Sequence, residues 1–429
     1  MAFRSSSQSS SESSEFKYEW IEGVEDLERY CEGGYHPVEI GNVLDGRYHI
    51  VDKLGFGTWS TVWLARDSFE ERYVAIKIGV ANASSRETEI LAALAPGTTD
   101  GCDTIPRLLA TFWVKGPNGS HPCFVTEAAR CSVADSFCDD MFPLHVARAL
   151  AYELAYTVAY VHSCGYVHGD ITLSNVLIKA KPTLNALSLE QFREKFGPPM
   201  TETVKTTDGE PLLLGAARTA VFPCSLDETA AEKFTYSDAR LLLNDFRKAF
   251  TPKFTSRPGA ECYSPIDYLP PDAYLQPEIH LSFSSDIWCL ALVIWEIFAS
   301  QRLFITYDDY PDSVVYQIIS ILGPLPDDLW EKWEKRTDYF YDDRTPRRGQ
   351  PIFPTLEVCF NECIQNYRQE SGFGEVSNEE RDDFLDLMRR MLRIEPQKRI
   401  TIKEVLQSKW MVKWALPEYK LSLKARGGT

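Results

Sequence analysis

The run from His168 to Asn175, which reads His-Gly-Asp-Ile-Thr-Leu-Ser-Asn, constrains this chain more than any other part of its sequence. It places a carboxylate, Asp170, five positions before an amide, on a loop that histidine opens. A helical pattern over 146–164 precedes the loop, and a short apolar strand over 175–178 follows it. In that context the pattern is typical of phosphoryl transfer, where the Asp accepts a hydroxyl proton and the Asn binds magnesium. The ordinary alternative is a surface loop that carries a chance Asp and Asn.

A glycine turn and a lysine on a strand come earlier in the chain, in the order that is typical of this phosphoryl-transfer pattern. The segment 54–63 predicts strand, glycine turn and strand, and its Gly55 and Gly57 would let backbone amides approach a triphosphate. The usual third glycine is Ser60, so this match is weak alone. Lys77 ends the apolar run Val-Ala-Ile-Lys and is suited to reach phosphates. Taken singly, the glycines are also typical of an ordinary hairpin turn, and the lysine is typical of a strand residue whose side chain extends to solvent.

A third motif supplies a second metal ligand. Asp245 follows the apolar run 241–243, which predicts a strand that delivers a carboxylate to Mg²⁺. The apolar strand 123–127 runs into polar chain, so backbone groups from Glu127 to Ala129 are predicted to hydrogen-bond adenine. We therefore predict ATP and Mg²⁺ as cofactors, with Asp170 and Lys77 in catalysis and Asn175 and Asp245 as metal ligands. The predicted ATP-binding residues are Leu54, Gly55, Gly57, Val62, Ala75, Lys77, Glu127 and Ala129.

Lys77 needs a helix-borne glutamate to orient it, and two candidates follow. Glu87 is preferred to Glu89, because an apolar pair lies three and four positions after Glu87. The alternative role of Glu87 is structural, since Ser84 and Glu87 also match a capping box at a helix start.

Composition limits the classes of partner. Lys+Arg 45 against Asp+Glu 62 gives a net charge of −17, which disfavours nucleic acid and anionic membranes and favours basic polypeptides, although it also serves solubility. The eleven cysteines show no zinc spacing and are typical of reduced thiols, so we expect a location in the cytoplasm or nucleus. The chain start is polar and lacks the pattern of a signal peptide. The longest apolar run, 287–299, is too short for a membrane span and predicts a buried helix.

The motifs divide the chain into segments. Residues 1–16 are serine-rich and predicted to be disordered, and 17–47 form an extension that packs on the domain. A β-rich lobe over 48–128 is followed by a helical lobe over 129–412 and a C-terminal tail over 413–429. The helical lobe contains an insertion at about 179–238, where Ser188 caps a short amphipathic helix that ends at Gly197.

These motifs resemble those of eukaryotic protein kinases over about residues 48–412. The run Gly-Gly-Tyr-His-Pro at 33–37, Trp59 to Trp63, the insertion, and 318–323 are similar to the SR-protein kinases, and in particular to divergent fungal members. The resemblance implies an α+β fold with two lobes, a small β-rich N-lobe and a larger helical C-lobe. It implies an ATP-dependent serine/threonine kinase, which we expect to be monomeric. Its protein substrate would be Arg/Ser-rich and involved in mRNA processing, with Asp312 at a docking position. Ser320 stands where the family has another docking acid, and the acidic stretch 338–343 is either an alternative patch or a solvated loop.

Three positions depart from the family pattern. Thr172 stands where the family has a lysine that contacts the γ-phosphate, and Gly169 replaces the arginine before the catalytic Asp. Arg247 replaces the glycine two residues after Asp245. Because Gly169 offers no cationic partner for a phosphate, activity is expected not to require phosphorylation of the activation loop, or activation segment, which lies between Asp245 and Asp272.

Two alternatives remain at this point. One is a pseudokinase scaffold that binds nucleotide or a partner without transfer. Thr172 and Arg247 favour it, whereas Asp170, Asn175 and Asp245 together oppose it. The other is a small-molecule phosphotransferase, which the sequence around Asp272, Asp286 and Arg399 opposes, because such enzymes lack this activation segment. Asp286 is placed to hold the backbone of the loop that carries Asp170, and Arg399 is the predicted buried partner of Asp272.

Overall fold

The computed structural model describes residues 17–95, 102–136, 141–226, 229–306 and 310–427. The serine-rich tail 1–16, for which disorder is predicted, lies outside these residues. The chain forms two compact units. Among the described residues, the first comprises 17–95, 106–131 and 179–226, and the second comprises 102–105, 132–136, 141–178, 229–306 and 310–427.

The strands and helices are numbered here in chain order. The strands are β1 Val43–Leu44, β2 Tyr48–Gly57, β3 Ser60–Asp67, β4 Arg72–Gly79, β5 Ala110–Gly116, β6 Gly119–Glu127, β7 Ala129–Ser132, β8 Val176–Lys179, β9 Thr201–Thr203, β10 Thr219–Val221 and β11 Leu241–Leu243. The α-helices are α1 Arg86–Ala93, α2 Val133–Ser136, α3 Leu144–Ser163, α4 Leu189–Phe196, α5 Pro271–Leu275, α6 Phe283–Phe298, α7 Pro311–Leu322, α8 Asp327–Lys332, α9 Arg336–Tyr339, α10 Leu356–Phe360, α11 Tyr367–Glu370, α12 Asn378–Met391, α13 Ile402–Leu406 and α14 Leu416–Ala425.

A six-stranded antiparallel sheet forms the centre of the first unit. Its strand order is β1-β2-β3-β4-β6-β5. Alternating β-branched and aromatic residues produce this sheet, because every second side chain points to the same face. Its core includes Tyr48, Ile50, Trp63, Val74, Ile76 and Val125. The sheet is a rigid frame for the glycine turn at the end of β2 and for Lys77 on β4.

The insertion belongs to the first unit, whereas the sequence pattern predicts it within the helical lobe. Ser188 caps α4 in a capping box with Gln191, and Gly197 ends the helix at φ 81°, both as predicted. The helix has one apolar face, and Phe192 on that face is fully buried and stacks on Tyr73 of the sheet at 5.1 Å. Burial of this face against the sheet explains why the insertion groups with the first unit.

The N-terminal extension also packs on the first unit. Its buried side chains share a core with Val80 of the sheet region and Val204 of the insertion. Lys53 of β2 forms a fully buried ion pair with Glu25, which also accepts a hydrogen bond from the Tyr30 hydroxyl. Since unpaired burial of either charge would be costly, this network fixes the extension to the sheet.

Helices build the second unit around α6, of which all residues from Ser285 to Phe298 are buried. The predicted C-terminal tail is helical over α14 and packs on α3, where Arg426 Nη1 lies 2.6 Å from Glu153 Oε1. Asp272 and Arg399 form the buried ion pair that the sequence predicts, and the Arg399 guanidinium lies over Trp288.

No helix within the described ranges combines the length and the apolar character that crossing a membrane requires.

Candidate active site

The glycine turn joins β2 to β3, with Gly57 opposite Ser60 and Gly55 opposite Val62. A Cβ added at Gly55 or Gly57 would meet no protein atom within 4 Å, so packing does not require glycine at either position. This open space fits the predicted approach of phosphate to the backbone. The N-terminal extension holds the turn, because the Tyr35 hydroxyl donates to the Gly57 carbonyl at 2.9 Å and Arg29 donates to the Thr58 carbonyl.

Lys77 and Glu87 form an ion pair within the first unit. Lys77 Nζ lies 2.8 Å from both carboxylate oxygens of Glu87, which is near the start of α1. Glu89 instead accepts a hydrogen bond from the Ser85 hydroxyl at 2.7 Å. The helix begins after Ser85 without a side-chain cap, so the capping-box alternative for Ser84 and Glu87 is wrong. The arrangement is suited to hold an ammonium group in a fixed direction.

The remaining predicted ATP-binding residues lie on the central strands of the same sheet. Ala75 pairs with Thr126, and Val62 pairs with Lys77. Ala75 and Thr126 are buried, Val62 and Leu54 are half-buried, Glu127 is exposed and Ala129 is half-buried on β7. The roles of these residues in adenine and phosphate binding remain predictions.

In the second unit, Asp286 of α6 holds the backbone of the run from His168 to Asn175, here called the catalytic loop, as predicted. Its carboxylate accepts hydrogen bonds from the His168 amide at 2.7 Å and from the Gly169 amide at 2.9 Å. His162 Nε2 lies 2.9 Å from the same carboxylate. Burial alone would raise the pKa of Asp286, but the hydrogen bonds from His162 and Gly169 hold it below its usual value. The loop is thereby anchored to a helix that cannot move without disturbing the core.

Asp170 and Asn175 meet on this loop. The Asn175 amide nitrogen donates to the Asp170 carbonyl at 2.9 Å and to Asp170 Oδ2 at 3.1 Å. The amide oxygen of Asn175 is then the atom left to contact a cation. Asp170 Oδ1 is buried, and no donor among the described residues hydrogen-bonds to it. A buried carboxylate oxygen of this kind is expected where a substrate hydroxyl donates.

The pairing of β8 with β11 brings Asp245 to the end of the strand pair where Asn175 lies. Leu243 is opposite Val176, and the Asn244 amide donates to the Asn175 carbonyl at 2.8 Å. Asn175, just before β8, and Asp245, two residues after β11, therefore lie at the same end of this strand pair, and their oxygens are suited to hold Mg²⁺ together with phosphate oxygens. Asp245 has a left-handed backbone with φ 63°.

Arg247 adopts a right-handed 3-10 turn, Phe246–Lys248, so the residue in the usual glycine position is not strained. Its guanidinium lies 3.5 Å from Asp245 Oδ2. Phe246 is buried and packs edge-on against His168, with ring centroids 4.7 Å apart. These contacts hold the turn in place in spite of the substitution.

Lys248 also lies in this region, although no sequence motif indicates it. Lys248 Nζ lies 3.1 Å from Asp170 Oδ2 and donates to the Tyr263 carbonyl at 2.7 Å. Lys248 is distant from Asp170 in the chain and matches no motif, so the only available signal was the absence of a lysine at Thr172.

Comparisons with known proteins agree with this arrangement. The family model described as protein kinase domain matches residues 48–190 and 237–411, and leaves out most of the insertion. A serine/threonine protein kinase of Aspergillus fumigatus is 26% identical over 404 residues, which are 90% of each chain. The serine/threonine-protein kinase SRPK of Physarum polycephalum is 26% identical over 91% of each chain, and human SRSF protein kinase 3 is 32% identical over 45% of this chain and 36% of its own length.

A crystal structure of a kinase domain covers 88% of this chain and 98% of its own, with a TM-score of 0.58 and 18% identity, which supports the two-lobed kinase fold. The match to the protein kinase domain family model covers well over half of the chain. This chain belongs to the protein kinase family, as a serine/threonine protein kinase similar to the SR-protein kinases.

Proposed function

We propose that the protein transfers the γ-phosphoryl group of ATP to serine hydroxyls of protein substrates, with Asp170 as the general base. The observation that carries this proposal is the buried Oδ1 of Asp170, which accepts no hydrogen bond from a described residue while Oδ2 is held by Asn175 and Lys248. One oxygen of the carboxylate is thus fixed, and the other is available to orient an acceptor hydroxyl.

The other groups supply charge and position. Lys77, aimed by Glu87, would bind the phosphates of the nucleotide, and Asn175 and Asp245 would hold Mg²⁺. Mg²⁺ held by these two residues would neutralise negative charge on the phosphates during transfer. Little covalent chemistry is left to the protein, so positioning and electrostatic stabilisation account for the rate.

Arg/Ser-rich proteins of mRNA processing are the substrate class that we propose, and they would be met in the cytoplasm or nucleus. The net charge of −17 and the names of the SRSF and SRPK relatives support this class. Asp312, the expected docking acid, is half-buried and accepts a hydrogen bond from the Trp333 indole at 2.7 Å. Its carboxylate also accepts a hydrogen bond from the Tyr274 hydroxyl. Burial of Tyr274 and this hydrogen bond raise the pKa of Tyr274. Asp312 is therefore fixed in place before any basic peptide binds.

The test uses the purified full chain with ATP, Mg²⁺ and two peptides, one of Arg-Ser repeats and one in which glutamine replaces each arginine. We expect transfer to the first peptide and much slower transfer to the second. Asp170→Ala should lower the rate by roughly 10²–10⁴-fold, the range for loss of a general base.

The outcomes separate the alternatives. Nucleotide binding without transfer to either peptide would support the pseudokinase, in which Arg247 competes with metal for Asp245. Equal rates on both peptides would remove the Arg/Ser preference while leaving the kinase activity in place.

A further inference from the structure

We propose that Lys248, which follows Asp245-Phe-Arg, supplies the positive charge for phosphoryl transfer that the catalytic loop itself lacks. This inference rests on the proposed kinase function. Among the described residues, Lys248 is the one cation within ion-pair distance of the Asp170 carboxylate, at 3.1 Å from Oδ2. Thr172, which is buried on the loop, carries no charge that could act there.

Lys248 is held for this role from two directions. Its ammonium group donates to the Tyr263 carbonyl at 2.7 Å, and its own carbonyl accepts a hydrogen bond from Arg257. An ammonium group has three N–H donors. Asp170 and the Tyr263 carbonyl take two of them, so one remains for a phosphate oxygen beside the base. The side chain is about one-quarter exposed, which leaves it accessible to substrate.

The glycine before the catalytic Asp makes this placement sterically feasible. Gly169 has φ 75°, and a Cβ there would lie 3.0 Å from the Lys248 carbonyl oxygen and 3.4 Å from Arg257 Nη1. Any larger side chain at position 169 would press on the turn that presents Lys248. Glycine at position 169 and the placement of Lys248 beside Asp170 are therefore sterically linked.

The chemistry needs no additional reactant. The acceptor hydroxyl gives its proton to Asp170 Oδ1, its oxygen bonds to the γ-phosphorus, and the bond to the bridging oxygen of ADP breaks with its electron pair on ADP. Lys248 would stabilise the negative charge on the transferring group beside Asp170, and it would keep Oδ2 from rotating away.

The first measurement compares Lys248→Met with Lys253→Met, a change at an exposed lysine of the same segment. We expect Lys248→Met to lower kcat by about 10²-fold, as for loss of one preorganised charge, with KM for ATP changed less than about threefold. Lys248→Arg should retain more activity than Lys248→Met. Thr172→Lys should restore part of the lost rate in the Lys248→Met background. Melting temperatures report whether each variant folds.

The second measurement does not depend on turnover. ADP with Mg²⁺ and aluminium fluoride mimics the transferring phosphoryl group, so Lys248→Met should weaken its binding about tenfold or more while ADP binding stays unchanged. Equal affinity of wild type and variant for the fluoride complex, or an unchanged or increased kcat, would overturn the proposal; an increase would mean that the Lys248 pair is inhibitory. An inactive wild type would refute the proposed function separately, and the fluoride measurement would then decide the role of Lys248.

Discussion

Two lysine–carboxylate pairs, Lys77–Glu87 in the first unit and Lys248–Asp170 in the second, divide their hydrogen bonds differently. Lys77 projects from a regular strand and engages both oxygens of Glu87 at 2.8 Å. Lys248 ends a 3-10 turn and engages only one oxygen of Asp170, sharing its ammonium group with the Tyr263 carbonyl.

The difference assigns opposite roles to the two carboxylates. Glu87 uses its whole carboxylate to orient a lysine, so the lysine is the group presented to a ligand. Asp170 keeps Oδ1 without a donor from the described residues, so here the lysine orients the carboxylate. A fully engaged carboxylate is a positioning group, and a half-engaged one is able to accept a proton.

The largest effect predicted for the first pair comes from replacing its lysine. Lys77→Met should reduce phosphoryl transfer by roughly 10²–10³-fold, because a preorganised charge aimed at the phosphates is lost. The protein should remain folded, since the lysine side chain is partly exposed. Rates measured with saturating ATP and Mg²⁺ check this, with Lys115→Met, at an exposed position of β5, as the matched control. Turnover equal to wild type would show that this pair does not act on nucleotide.

The next prediction concerns a carboxylate that has tyrosine rather than lysine as its close partner. Glu296 of α6 accepts a hydrogen bond from Tyr268 at 2.7 Å, and its nearest cation, Arg302, is 3.9 Å away. Burial raises the pKa of Glu296 to about 7. In the unfolded chain Glu296 loses its proton near its ordinary pKa of 4.5, whereas in the folded protein it keeps the proton up to about pH 7. The free energy of unfolding therefore falls as the pH rises from about 4.5 to 7, and it stays at the lower value above pH 7.

Glu296→Gln should remove this dependence and stabilise the protein at pH 8 by on the order of 3 kcal/mol, from 1.36 kcal/mol for each unit of pKa shift. Lost pairing with Arg302 would reduce the gain. Urea unfolding at pH 5 and pH 8 measures the effect, with Glu362→Gln as an exposed control. Parallel pH profiles for wild type and Glu296→Gln would show that Glu296 is ionised in the folded protein.

Local patterns predicted much of the fold and the candidate site. The helix after Ser188 was predicted because cap, apolar face and terminal glycine lie within ten residues. The Asp272–Arg399 pair and the Asp286 contacts followed from the order of the motifs. These features depend on residue type and spacing, which the chain shows directly.

Other features depend on contacts between distant parts of the chain. The insertion joins the first unit through the stacking of Phe192 on Tyr73, and nothing in its own sequence specifies that partner. Lys248 reaches Asp170 only because the pairing of β8 with β11 and the turn after Asp245 bring it there. A sequence motif cannot identify a charged side chain that reaches the site from a different position in the chain.

A smaller effect is expected from the carboxylate of the first pair. Glu87→Gln keeps one acceptor oxygen for Lys77 but removes the charge, so the ammonium group should be less well oriented rather than lost. We expect about a tenfold fall in kcat/KM for ATP, equivalent to about 1.4 kcal/mol. Steady-state kinetics with varied ATP measure it, and Glu89→Gln, at a position that contacts Ser85, should be near wild type. A larger loss in Glu89→Gln than in Glu87→Gln would reverse the assignment.

The last prediction is that removing phosphate from the activation segment leaves the kinase activity unchanged. Gly169 provides no cationic side chain to clamp a phosphate there, and the segment supplies its own anchors. Arg257 is buried, lies over Phe250 at 4.3 Å, and donates to the Lys248 carbonyl, while its own carbonyl accepts from the Leu281 amide at 2.8 Å. These contacts of Arg257 therefore hold the segment in place without the negative charge that phosphorylation normally adds to order it.

Protein made in bacteria should accordingly phosphorylate a basic serine peptide equally well before and after phosphatase treatment, within about twofold. Arg257→Met should lower activity in both samples, because the turn that carries Lys248 loses its support, and it should lower the melting temperature as well. A large loss on phosphatase treatment alone would mean that an added phosphate, rather than Arg257, orders the segment beside the Lys248–Asp170 pair. No activity in either sample would instead favour the pseudokinase, and the two lysine pairs would then differ in nucleotide binding rather than in transfer.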